Sequence, residues 1–149
     1  MAALTRSNPL PRWQRRGVQL SMTLLAASGG LWLVAHYAWG AGAGELPHPL
    51  EAWMMRLHGA ALLASLFFLG SIAPAHVSRG WRLARQRTTG LLMLGGMALL
   101  VASGYALYYF APEPIRPALG NAHAALGLVL AGVLAWHGRA PRDRGVNRA

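Results

Sequence analysis

The chain has 149 residues, 54% of them apolar and only 12% charged, about half the charge an ordinary soluble domain carries. It has no cysteine, which excludes disulfides, thiolate metal sites, iron–sulfur clusters and covalently attached c-type haem. Its formal charge of +10 does not point to nucleic acid, because the fourteen arginines lie between and outside four long apolar runs, where membrane topology accounts for them.

Residues 1–16 form a basic tail with Arg6, Arg12, Arg15 and Arg16. The first apolar run, about residues 17–40, exceeds the 7–15 residues of a signal-peptide core and reads as a retained span. A Gly/Pro loop with Glu45 and His48 leads to a second run, about 50–77, which carries Arg56 and His58 early and Pro74 and His76 late. Pro74 removes a backbone donor and is expected to kink or end that helix. A basic loop with Arg79, Arg82, Arg85 and Arg87 follows, then a third run at about 90–110. A Pro-rich loop with Glu113 and Arg116 precedes the fourth run, about 119–137, and a basic tail at 139–149 closes the chain. No sequence repeat is apparent at this level.

The expected fold is therefore an all-α membrane protein, with residues 17–138 forming a four-helix up-down-up-down bundle. Twelve of the fourteen arginines fall in the two tails and the loop after the second span. By the positive-inside rule both termini are then cytoplasmic. Tyrosines and tryptophans near the span ends fit the aromatic belts of the two interfaces.

The histidines carry the functional reading. His123 and His137 are fourteen residues apart on the fourth span, which at about 100° and 1.5 Å per residue places them on one face, about 21 Å apart. His58 and His76 are eighteen residues apart on the second span, five turns, again on one face. Both spans run from outside to inside, so each carries one outer and one inner histidine. Facing stripes would give two stacked pairs, His58 with His123 and His76 with His137. A haem iron with two axial imidazoles needs ligands so placed on opposing helices. His36 on the first span is the alternative outer ligand or a propionate partner, and His48 is expected to face solvent. Propionates call for cations near the interfaces: Arg56 and Arg116 outside, Arg79, Arg82 or Arg139 inside. Paired glycines at 29–30 and 95–96, with Gly59 and Gly127, admit either close helix packing or a porphyrin. Two other readings compete. One is a cofactor-free structural or assembly subunit of a membrane complex. The other, a histidine-lined proton or metal transporter, finds only Ser28, Ser65 and Ser103 in mid-membrane to continue its path.

Several motifs resemble one family. Arg-Leu-His-Gly opens the second span and Pro-Ala-His-Val-Ser-Arg-Gly-Trp closes it. Ser-Gly-Tyr-Ala-Leu-Tyr-Tyr ends the third span, and Ala-His and Trp-His mark the fourth. Over about residues 50–140 these resemble the small bacterial cytochrome b561-like membrane proteins. The resemblance implies a multi-pass protein of the bacterial inner membrane that holds two haems b. It implies that electrons pass between quinol or quinone and a redox partner, as an oxidoreductase component at most. The ligands so implied are His58, His76, His123 and His137, with His36 against His58 left open. Quinol oxidation would also need a proton acceptor, for which Glu51, Glu113 or a spare histidine is available.

Overall fold

A computed structural model describes residues 11–82 and 87–139, apart from the side chains at 75–82, 87, 89 and 137–139. Four long helices account for nearly all of it: α1 (Arg12–Trp39), α2 (Pro49–Arg82), α3 (Arg87–Tyr109) and α4 (Arg116–Arg139). All four are long and apolar enough to cross a membrane. No strand occurs among the described residues. The helices overrun the expected spans at most ends. α1 begins at Arg12, inside the stretch read as tail, and α2 continues past Pro74 to Arg82. Pro74 therefore does not end the second helix. A single missing donor is tolerated where the rest of the ladder continues.

The chain divides into two compact units, Met1–Arg82 and Leu83–Ala149. In the first, α1 and α2 form an antiparallel hairpin. Its contacts run in opposite chain directions: Gly17 meets Phe68, Ser28 meets His58, and His36 meets Glu51. The seam on α1 consists of Ser21, Ser28 and Ala35, seven residues apart and all buried. Small side chains at that spacing let two backbones approach closely, which is how helices associate where lipid removes the hydrophobic drive. The ring of Phe68 lies directly against Gly17, where a Cβ would overlap it. Outward-pointing residues such as Leu63 (70% exposed) and Phe67 (65%) are large and apolar, as a lipid-facing surface requires.

The turn of this hairpin is closed by backbone and side chain together. A short 3₁₀ turn (Ala41–Ala43) ends at Gly44, whose φ of +84° is the left-handed region glycine adopts without strain. His48 then accepts the Leu50 N–H on its Nδ1 at 3.2 Å and so caps the start of α2. This corrects the expectation of a solvent-facing His48, which is half-buried.

In the second unit α3 and α4 form another antiparallel hairpin. Gly96 faces Leu130, Gly127 faces Leu100, and Ser103 faces His123. α3 stops where the N–H groups of Phe110 and Ala111 both bond the Ala106 carbonyl, at 2.9 and 2.7 Å. Pro117 falls in the first turn of α4, where its missing N–H is unneeded.

Candidate functional site

The two described histidines expected to be ligands are held alike, each by the helix it packs against. In the first hairpin the His58 Nδ1 lies 3.1 Å from the Ser28 hydroxyl. That hydroxyl also donates to the Leu25 carbonyl at 3.1 Å. In the second hairpin the His123 Nδ1 lies 2.8 Å from the Ser103 hydroxyl, which donates to the Leu100 carbonyl at 3.2 Å. The next residue in each case is glycine. A Cβ at Gly29 would sit 3.2 Å from the His58 Cε1, and one at Gly104 would sit 3.3 Å from the His123 Cε1. Each imidazole thus rests in a seat made of a serine hydroxyl and a bare glycine Cα. Both rings are half-buried.

The likeness has a sequence counterpart that hydropathy reading passes over. Residues 22–29 read Met-Thr-Leu-Leu-Ala-Ala-Ser-Gly, and residues 97–104 read Met-Ala-Leu-Leu-Val-Ala-Ser-Gly. Six of these eight positions are identical. The two helices thus share a short local pattern around the serine. Ser28 and Ser103, noted in the sequence only as stepping stones of a poor polar path, are the histidine partners.

His36 is differently placed. Its Nδ1 is 2.9 Å from the Glu51 carboxylate, and its ring stacks on Trp32 with centroids 4.6 Å apart and planes 11° apart. Tyr37 meets it edge-on at 4.8 Å. The ring edge carrying Nε2 faces Gly42, where a Cβ would come to 3.0 Å of that nitrogen. The second oxygen of Glu51 accepts the His48 N–H at 2.9 Å. His36 and Glu51 therefore form a latch that ties α1, α2 and the turn between them.

The remaining expected residues divide by description. His76 lies on α2 with His58, and His137 on α4 with His123, so each helix does carry two histidines. The side chains of His76, His137, Arg79, Arg82 and Arg139 lie outside the described residues. Arg56 holds its guanidinium over the Trp53 ring at 5.0 Å. Arg116 donates to the Ala111 carbonyl at 3.0 Å, bracing the turn before α4.

Among the described residues no three histidine, cysteine or acidic side chains gather as a metal cage would require. A b-type haem asks only for one imidazole from each side of the iron. Glycines beside the histidines leave room: a Cβ at Gly30 or Gly59 would meet no described atom within 4 Å. Other glycines, Gly17, Gly96 and Gly127, serve helix packing instead. The chain matches no protein-family model, no curated protein and no solved structure.

Proposed function

We propose that this chain is a b-type cytochrome that carries electrons between quinol or quinone and a redox partner. In this reading it forms a four-helix up-down-up-down bundle in the bacterial inner membrane, with both termini cytoplasmic. His58 and His123 would hold an outer haem b, and His76 and His137 an inner one. The observation that carries the reading is the pair of matching imidazole seats, one per hairpin. An intramembrane histidine is costly and calls for a function. Two of them, seated identically by a repeated Met-x-Leu-Leu-x-Ala-Ser-Gly segment, fit a group that needs two equivalent imidazoles.

The same geometry favours His58 over His36 as the outer ligand. His36 has one ring nitrogen on Glu51 and the other edge against Gly42, so its ring serves the turn. When bound, the haem iron would supply reversible one-electron chemistry that no side chain here provides. The chain's own residues would orient the imidazoles, exclude water and set the surrounding polarity. Orientation rests on the arginines, whose distribution supports a cytoplasmic face for both tails and the 78–89 segment. Arg56 and Arg116 remain the outer propionate partners in this reading, each able to leave its local contact for a carboxylate. Arg79, Arg82 and Arg139 would serve the inner haem.

Colour decides it. Protein purified in detergent from haem-sufficient cells should be red, with a Soret band that sharpens and shifts on dithionite reduction and about two haems per chain. Colourless protein overturns the reading and leaves the cofactor-free subunit standing.

A further inference from the structure

We infer that Ser28 and Ser103 are a matched pair of positioning residues, holding His58 and His123 as the Nδ1–H tautomer so that Nε2 is the ligating nitrogen of each ring. The inference rests on the haem reading above and adds to it the groups that aim the ligands. Its basis is the direction of the hydrogen bonds. A backbone carbonyl can only accept, so each serine hydroxyl, bonded back to the residue three positions earlier, spends its one proton there. What it offers the nearby Nδ1, at 3.1 Å from Ser28 and 2.8 Å from Ser103, is a lone pair. With the hydroxyl proton on the carbonyl, the ring nitrogen is the donor. A neutral imidazole protonated at Nδ1 carries its lone pair at Nε2.

Two features make this a device rather than an accident of one helix. The arrangement occurs twice, on two eight-residue segments that share six residues. Each serine is followed by a glycine that lets the imidazole edge lie flush on the helix. A histidine that ligates a metal normally donates its other ring N–H, and that outer bond both fixes the ring and makes it a more electron-rich ligand. A richer ligand stabilises ferric iron relative to ferrous, so the serines would lower the midpoint potential of the haem they serve.

The test uses the full chain, purified with haem, and three substitutions at each position. Ser28→Ala and Ser103→Ala remove the acceptor. Ser→Val keeps the branched shape of threonine without the hydroxyl, and Ser→Thr restores it. The expected result is a haem affinity lowered about 10- to 100-fold in the Ala and Val variants. Redox titration should show an upward-shifted potential, and the low-spin ferric electron paramagnetic resonance signal should change. The Thr variants should behave as the parent on all three measures. Position 28 and position 103 should respond alike. Red Ala and Val variants with the parent's affinity, potential and resonance signal overturn the inference while leaving the cytochrome reading intact. A shift in Ala that Thr fails to reverse and Val does not share also overturns it, because the hydroxyl would not be the cause. Colourless parent protein overturns the cytochrome reading itself.

Discussion

The two hairpins agree to within a few tenths of an ångström where the histidines sit, and diverge one or two turns away. The serine–carbonyl and glycine–imidazole distances differ by only 0.1 Å between them, 3.1 against 3.2 Å and 3.2 against 3.3 Å. Towards the turn, the first hairpin carries a polar latch of His36, Glu51 and His48, whereas the second carries Tyr105, Tyr109 and Phe110 packed on one another. Away from the turn, the first seam continues through buried Ser21 and Ser65, and the second through Gly96 under Leu130. Helices in lipid can be glued either by small polar residues or by shape alone, and this chain uses one solution in each half. What the halves share is what neither packing solution needs, the seated imidazole.

The sharpest way to break that comparison is to remove the shared part. His58→Ala and His123→Ala should each abolish the outer haem, and haem per chain, measured as the pyridine haemochrome, should fall by the same amount in both. His36→Ala should leave haem content unchanged. Loss of haem on replacing His36, or from only one of the other two, would show that the halves are not equivalent in use.

The glycines test the seat more gently. A methyl at position 29 or 104 would press on the imidazole Cε1 at 3.2 or 3.3 Å, closer than packed carbons normally stand. Gly29→Ala and Gly104→Ala should destabilise the protein by about 1–3 kcal/mol, the usual range for overpacking, as read from denaturant unfolding in detergent. Gly30→Ala, which meets nothing, is the control. It should be neutral or stabilising by up to about 1 kcal/mol through helix propensity.

The four helices were legible in the sequence because a span announces itself by length and hydropathy. So was the placing of two histidines on each of α2 and α4. The seats were not, and the reason is physical. In a lipid-facing helix both the packed and the exposed faces are apolar, so periodicity does not say which residues meet a neighbour. Ser28 looks like an isolated polar residue until α1 is laid on α2 and His58 falls against it. Glu51 and His36 are fifteen residues apart across a glycine-rich turn whose closure no spacing rule predicts. The shared eight-residue pattern was visible in principle. It was masked because the partner helices share little beyond His58 and His123.

The latch separates the hairpins by a difference that belongs to one of them. Glu51→Ala would strip the His36 ring and the His48 N–H of their acceptor at once. Both carboxylate contacts are largely shielded, with the Glu51 side chain only 11% exposed, so the loss should cost about 1–3 kcal/mol. Haem content and potential should stay at the parent's values, since the latch stands two turns from the imidazole seat. A changed potential would mean that the turn and the seat are coupled.

The smallest effect concerns Ser65. Its hydroxyl is fully buried, with no hydrogen-bond partner among the described residues. It stands seven residues after His58, as Leu130 stands seven after His123. Leu130 fills its place against Gly96, whereas Ser65 brings a polar atom into a seam that does not answer it. An unanswered buried hydroxyl costs free energy that alanine does not. Ser65→Ala should therefore leave unfolding unchanged or raise stability by up to about 1 kcal/mol. A loss of more than that would mean the hydroxyl is bonded in the folded protein. The first hairpin would then be held by a polar contact with no counterpart in the second, and the two seams would differ in kind rather than in side-chain size.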